Sequence, residues 1–215
     1  MTKAERTRQF IIEQAAPIFN RKGVAGTSIS DIMEATKLAK GGIYGNFATK
    51  EEISVEVFDY MMEKVMEELR VVAASEISSG GKLYALLDFH RNYAVKPTMI
   101  GGCPLLNFGI EADDTNPLIK RRVNEVILAM EDSIVALVER GIRYGEFRKD
   151  WDARSFAIRM FAMLEGGILI SRIQNNNRQM CVIVDALKAE VAANIVAGEK
   201  GVVGGRKGGK EGERK

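Results

Sequence analysis

Apolar residues recur at helical spacing along almost the whole chain of 215 residues, and the alternating pattern of β-strands is nearly absent. In the segment RTRQFIIEQAAPIFNRKG, for example, Ile11, Ala15 and Phe19 fall on one stripe, and Gly23 is expected to end the helix. The segments SISDIMEA and TKEEISV each begin with a hydroxyl residue followed three positions later by an acidic residue, which is the spacing of a helix capping box. This periodicity predicts an all-α fold.

Breaks in the helical pattern divide the chain into two helical parts and a tail. In residues 1–50, three short helices are predicted, and one long amphipathic helix follows at about 50–74. The Ser- and Gly-rich segment SEISSGG (75–81) marks the boundary with a second part, 75–197, whose helices are predicted near 82–96, 105–112, 117–144, 152–172 and 179–197. The segment 198–215 is rich in glycine and charge and cannot bury a core, so we expect a disordered basic tail.

Charge is distributed unevenly along the chain. Residues 1–50 contain eight basic and four acidic residues, whereas 51–197 contain seventeen basic and twenty-two acidic ones. A basic end on an acidic body indicates a polyanion as the partner of the N-terminal part. No apolar run is long enough to span a bilayer, no signal-peptide pattern is evident, and two cysteines are too few for a disulfide framework. We therefore expect a cytoplasmic protein without a membrane partner.

The segment LAKGGIYGNF (38–47) places three glycines in an otherwise helical region. Glycine in a helix interior costs about 1 kcal/mol relative to alanine, so their presence requires a reason. Glycine allows the backbone at a helix N-terminus to approach a surface closely, and the N–H groups exposed there suit a phosphate. Two short helices joined by a tight turn, with this segment in the second, predict a helix-turn-helix DNA-binding unit.

The segment TSISDIMEATKLAKGGIYGNFATKEEI resembles the DNA-binding signature of the TetR family of bacterial repressors, and the resemblance extends from residue 8 to about residue 55. Ile43 and Phe47 fall where the family has core residues. The remaining polar and glycine positions imply a DNA-contacting set, which is Ser28, Lys37, Lys40, Gly41, Gly42, Tyr44, Asn46 and Lys50. Lys40 and Lys50 would supply charge to phosphates, and Tyr44 a hydroxyl group and an aromatic ring.

The chain departs from the family pattern in the turn around Lys37 and in the following helix, which in this family is the recognition helix. Lys37 stands where the family usually has glycine, and Ala39 stands where it usually has a Ser or Thr cap. Gly42 and Gly45 occupy positions where the family often has Thr and His. Because base-reading side chains are therefore few, we expect DNA shape to contribute to sequence preference.

For the C-terminal part, the resemblance implies a homodimer with a pocket for a small-molecule effector. The implied function is a repressor that binds a palindromic operator and is released by a small apolar or aromatic effector. The helix at 152–172 is apolar on almost every face and requires both an internal and an external partner, and a stripe through Ile183, Leu187, Val191 and Ile195 offers a further dimer surface. The candidate effector-binding residues, each of which could instead be ordinary core, are Phe89, His90, Tyr93, Cys103, Phe108, Met130, Met160, Phe161 and Leu164.

Cys103 leaves a second interpretation open. It precedes an apolar helix whose dipole would lower the pKa of the thiol, and it resembles a cysteine that senses oxidants in some members of one branch of the family. The alternative functions are therefore a thiol-redox sensor or enzyme that uses the C-terminal cavity, and a helical protein-interaction module. His90 is the only histidine and has no cysteine or carboxylate at ligand spacing, so we expect no metal site and no cofactor.

Overall fold

The computed structural model describes residues 1–93 and 96–196. These residues form nine α-helices and no β-strand, apart from a single bridge between Phe147 and Ile195, and this confirms the all-α prediction. The helices are α1 (Lys3–Gly26), α2 (Ile29–Thr36), α3 (Lys40–Tyr44), α4 (Lys50–Ala74), α5 (Ser79–Tyr93), α6 (Pro104–Thr115), α7 (Pro117–Arg143), α8 (Ala153–Gln174) and α9 (Arg178–Asn194). The predicted tail, 198–215, lies outside the described residues.

Side-chain caps fix the ends of the short N-terminal helices. The Ser28 hydroxyl accepts a hydrogen bond from the Asp31 N–H (3.1 Å), and the Asp31 carboxylate accepts one from the Ser28 N–H (2.8 Å), which confirms the first capping box. At α4 only half of the predicted box forms. The Thr49 hydroxyl accepts from the Glu52 N–H at 3.1 Å, but the Glu52 carboxylate instead accepts from the Ala48 N–H at 2.6 Å.

Two helix ends differ in detail from the sequence pattern. Gly23 interrupts α1 with φ 74° and ψ 175°, as predicted, and a last short turn follows it. Helix α5 begins at Ser79, inside the segment predicted to be a loop. The Gly80 N–H donates to the Glu146 carboxylate at 3.1 Å, and a carboxylate at this position stabilises a helix N-terminus. Glu146 is distant in sequence, so a local pattern does not reveal this cap.

The N-terminal helices share a buried core with α4. Ile11, Ala15 and Phe19 of α1 are fully buried, as the stripe predicts. Ile43 of α3 and Phe47, which follows α3, belong to the same buried cluster, and this confirms their prediction as core residues. Because α3 has only five residues, this burial determines how the helix is held against the rest of the chain.

The C-terminal helices form a bundle in which α7 packs on α6 and α8, and α9 packs on α5 and α8. Helix α8 buries Phe156, Met160, Leu164 and Ile168 in this bundle, whereas its opposite face remains exposed. The predicted dimer stripe on α9 is wrong in part: Leu187 and Val191 are buried within the chain because they face α5 and α8. In the described part of the chain, no helix is both long enough and apolar enough to cross a bilayer.

Candidate functional site

The turn between α2 and α3 is built around Lys37. This residue ends α2 in the left-handed conformation, with φ 58° and ψ 20°. Such a conformation costs a residue with a Cβ about 1–2 kcal/mol, which explains why glycine is usual at this position in the family that the segment resembles. The Lys37 side chain is exposed beside α3. The turn thus keeps a cation at the cost of backbone strain.

Helix α3 presents a thin N-terminal turn. Ala39 precedes it and supplies no side-chain cap, as predicted from its residue type. A Cβ placed on Gly41 would meet no atom within 4 Å, and one placed on Gly42 would make an ordinary contact with the Leu38 side chain at 3.4 Å. Packing within the chain therefore does not require glycine at either position. Because these two residues have no side chain, another molecule could approach the backbone closely here.

Two of the predicted side chains lie exposed on this helix, and two others form internal hydrogen bonds. The Lys40 ammonium lies 5.8 Å from the centre of the Tyr44 ring, and Tyr44 is 41% exposed. By contrast, the Asn46 side-chain amide donates to the Gly42 carbonyl at 2.8 Å. The Ser28 hydroxyl donates to the Asp31 carboxylate at 2.7 Å while capping α2. Ser28 and Asn46 would have to exchange these bonds in order to contact DNA.

Lys50, at the start of α4, joins this helix to the end of α1. Its ammonium donates to the Val24 carbonyl at 2.8 Å and to the Thr27 carbonyl at 3.1 Å. Two of its three N–H groups are thus used within the chain. One donor is left for a phosphate, and the residue has a structural role that the sequence did not indicate.

Arg8 anchors the opposite end of α1. Its guanidinium donates to Glu52 (2.5 Å) and Glu56 (3.0 Å) of α4 and to the Asn46 carbonyl, and it lies 4.1 Å from the centre of the Phe47 ring. The pairing with Glu56 and Glu52 raises the pKa of Arg8. One half-buried side chain thereby connects α1, the end of α3 and α4. The family signature includes Arg8, but it does not predict the contacts of this side chain with α4 and with the end of α3.

Helix α6 contacts the C-terminal end of α1 directly. The Glu111 carboxylate accepts hydrogen bonds from the backbone N–H groups of Val24 (2.6 Å) and Ala25. The Asn107 side chain donates to the Asn20 carbonyl at 2.8 Å, and the Asn20 side chain donates to the Gly102 carbonyl at 3.0 Å. These contacts link the segment containing DNA-binding candidates to the bundle.

A cavity of about 370 Å³ lies among α4, α5, α7 and α8. Five of the nine predicted effector-binding residues line it: His90, Met130, Met160, Phe161 and Leu164. Sequence reasoning missed ten other lining residues, which are Met66, Leu69, Arg70, Ala73, Leu86, Ser133, Ile134, Ala136, Leu137 and Glu165. Four of these belong to α4, which the sequence suggested only as a connecting helix. Glu165 had a detectable signal, because it is the only acidic residue in α8.

The other four predicted residues lie outside the lining. Phe89 and Tyr93 form an aromatic group with His90, with ring centres 5.3 Å apart for Phe89 and His90 and 6.2 Å apart for His90 and Tyr93. Phe108 packs against Phe58 of α4 at 5.3 Å, in the contact between α4 and α6. Cys103 is buried immediately before α6.

The expected lowering of the Cys103 pKa is wrong. The backbone N–H groups of Leu105 and Leu106 do favour the thiolate, but burial and the nearby Glu165 carboxylate outweigh them and raise the pKa well above its usual value. Because the thiolate is the reactive form, this environment disfavours a redox role. Within residues 1–93 and 96–196, no group of three potential metal ligands comes together.

Comparison with known proteins gives two family matches and close structural relatives. Residues 11–57 match the family described as bacterial regulatory proteins, tetR family, and residues 80–187 match the tetracyclin repressor-like C-terminal domain. A TetR transcriptional regulator from Chloroflexus aurantiacus is 40% identical, with a TM-score of 0.86 over 91% of this chain and 98% of that one. A TetR-family regulator from Cytophaga hutchinsonii is 38% identical, with a TM-score of 0.85 over the same shares of the two chains. The HTH-type transcriptional regulator TtgR of Pseudomonas putida is 27% identical over 76% of this chain and 79% of its own length.

Glu165 should make the stability of the protein depend on pH. Burial raises the pKa of this carboxyl from 4.5 to about 7, so the folded state holds a proton that the unfolded state releases. The free energy of unfolding of the wild type, relative to Glu165→Gln, should therefore fall between about pH 4.5 and pH 7 and level off above that. The change should be on the order of 3 kcal/mol. Urea denaturation at several pH values, at one protein concentration, measures it, and parallel profiles for the two proteins would contradict the assignment.

Proposed function

The chain belongs to the TetR family of bacterial regulatory proteins, and on that premise we propose that it is a repressor that binds a palindromic operator as a homodimer and is released by a small apolar or aromatic effector. Its family and relatives are transcriptional regulators, not enzymes. We assign DNA binding to residues 1–50, with α4 as the connecting helix, and effector binding and dimerisation to 75–197. This function would be carried out in the cytoplasm, where the operator is found.

One observation carries the proposed DNA contact: α3 exposes a glycine turn that the packing of its own chain does not require. Gly41 and Gly42 allow the backbone to approach a phosphate, while Ile43, fully buried, fixes the helix from the opposite side. Lys37, Lys40 and Tyr44 are exposed on the same short unit. Lys40 and Lys37 provide charge, and Tyr44 provides a hydroxyl group for a phosphate or a ring for a thymine methyl group.

The outer face of α8 and α9 supports the proposed homodimer. On α8, Ile158 and Ile170 are exposed, and the half-buried Gly166 lies eight positions after the first and four before the second. A Cβ on Gly166 would meet no atom within 4 Å, so a helix from a second copy could approach closely there. Helix α9 packs beside α8, and its residue Val182 is 65% exposed. To bind one palindrome, the proposed dimer has to hold its two α3 helices over half-sites about 34–36 Å apart, or a multiple of that spacing.

The contacts of α6 connect the cavity to α1, and we propose that an effector releases DNA through them. The cavity is bounded by α4 and α7, both of which pack on α6, and α6 holds the end of α1 through Glu111. An effector that favours a different position of these helices would shift the dimer towards a spacing of the two α3 helices that does not fit the operator.

Replacement of Lys40 by alanine should weaken DNA binding in a salt-dependent way. Loss of one phosphate contact should reduce the slope of log K against log salt by about 0.9. Lys64→Ala is a matched control, because Lys64 also lies beside a tyrosine ring, 5.5 Å from the centre of the Tyr60 ring. Lys64 belongs to α4 and not to α3, which is the proposed DNA-contacting helix. Fluorescence anisotropy with an operator-containing duplex at several salt concentrations measures both slopes. Equal slopes for Lys40→Ala and the wild type would contradict the contact.

Replacement of Ile170 by aspartate should dissociate the dimer, because it buries a charge in an apolar helix contact. Ile110→Asp serves as the control, since Ile110 of α6 is also exposed, at 67%, but lies on a different face. Sedimentation velocity should find a monomer for Ile170→Asp and a dimer for Ile110→Asp. Dimers for both variants would rule out this face as the interface.

A further inference from the structure

The polar groups of the cavity are mainly hydrogen-bond acceptors. The Ser133 hydroxyl donates to the Ala129 carbonyl at 2.8 Å, so its proton is already used. Arg70 pairs with Glu67 at 2.6 Å, and its side chain is 63% exposed, which places its charge at the outer edge. The remaining polar side chains of the lining are His90 and Glu165.

His90 presents a lone pair rather than a proton. Its Nδ1 lies 2.7 Å from the Leu86 carbonyl, which can only accept, so Nδ1 carries the hydrogen. Burial lowers the pKa of His90 and keeps the ring neutral. The other ring nitrogen, Nε2, is therefore an acceptor.

Glu165 lacks a hydrogen-bond partner for one of its carboxylate oxygens. Its Oε2 atom is buried and accepts no hydrogen bond, and the buried Tyr93 hydroxyl group also lacks a partner. The Cys103 side chain hydrogen-bonds to the same carboxyl group, so one oxygen is left unpaired, and an unpaired buried oxygen costs free energy that a bound donor would recover. On α8 this acid lies next to Phe161 and Leu164, which provide apolar surface in the same lining.

We propose that the effector is an amine-bearing aromatic or alicyclic compound, whose protonated nitrogen hydrogen-bonds to Glu165 while its apolar body fills the cavity. This inference rests on the proposed function, because it takes the cavity to be the effector site. A cavity of about 370 Å³ accommodates a body of two or three fused rings. An anionic effector of the same size is disfavoured, since it would meet a carboxyl group and a neutral imidazole, while the cation of the lining, Arg70, is exposed and paired with Glu67.

Binding of the ammonium group is linked to a proton. The titratable groups around Glu165 are Cys103 before α6, Tyr93 and His90 on α5, and Arg70 on α4. Of these only Arg70 is charged near neutral pH, and it is paired at the cavity edge. Glu165 has a pKa of about 7 in the empty cavity, so a bound cation should displace its proton. The wild type should consequently release about half a proton per site on binding the amine at pH 7.

The test uses three probes with one naphthyl body: 2-naphthylmethylamine, 2-naphthylmethanol and 2-naphthoate. Isothermal titration calorimetry of the full chain at pH 7, in two buffers of different ionisation enthalpy, gives affinity and proton release together. The wild type should bind the amine at least about tenfold more tightly than the alcohol, because hydrogen bonds to charged groups contribute about 1.5–3 kcal/mol. It should bind the carboxylate most weakly.

Two variants assign the preference to one side chain. Glu165→Gln should reduce the preference for the amine over the alcohol to within about threefold and abolish proton release. Glu131→Gln is the control, because Glu131 is a half-buried acid on α7 that lies near Arg154, outside the cavity lining. It should keep the wild-type preference. Binding of the alcohol to Glu165→Gln shows that the variant retains an intact cavity.

Several results would overturn the inference. These are equal affinities of the wild type for the amine and the alcohol, absence of binding by all three probes at millimolar concentration, or an amine preference that survives in Glu165→Gln. If the Glu165→Gln protein does not fold, the wild-type affinities for the amine and the alcohol still test the inference. DNA binding by the wild type is measured separately: if it holds while the amine preference is absent, only the effector class is wrong, whereas loss of both rejects the proposed function.

Discussion

The arrangement of the DNA-binding face depends on how α1 is held at its two ends, and the guanidinium of Arg8 makes the first of these attachments. It bonds to two carboxylates of α4 and to the Asn46 carbonyl just after α3, so that three helices share one charged group. A helix of five residues has little stability of its own, and α3 takes its orientation from these neighbours. A network of this kind contributes more than a single exposed ion pair, because each member fixes the others.

The second attachment joins α1 to the effector-binding bundle. Glu111 of α6 accepts from two backbone N–H groups at the end of α1, and Lys50 of α4 donates to carbonyls of the same region. Gly101 is required nearby, because it has φ 103° and a Cβ there would lie 2.6 Å from the Asn20 carbonyl oxygen. Movement of α6 would therefore act on α1 through hydrogen bonds as well as through packing, which gives the proposed effector response a physical route.

Local patterns were sufficient to predict the fold but only part of the contacts around the candidate sites. Helical periodicity predicted the longer helices of the described chain, and the helix-turn-helix layout and family signature placed α3, with Ile43 and Phe47 in the core. The pattern did not show that Lys50 bonds to carbonyls of α1, because that contact joins residues 23 or more positions apart. It also missed the contribution of α4 to the cavity and gave the wrong direction for the Cys103 pKa. Both depend on packing between distant helices, and burial outweighs the helix dipole at Cys103.

In the proposed dimer, two copies of this chain, joined through α8 and α9, present their α3 helices to one duplex. Selection of bound DNA from a random pool by this chain at low salt shows whether two α3 helices contact one duplex. We expect enrichment of a palindrome whose half-sites are centred about 10–10.5 base pairs apart, or a multiple of that distance. Enrichment of a single unpaired half-site, or of no sequence at all, would contradict it.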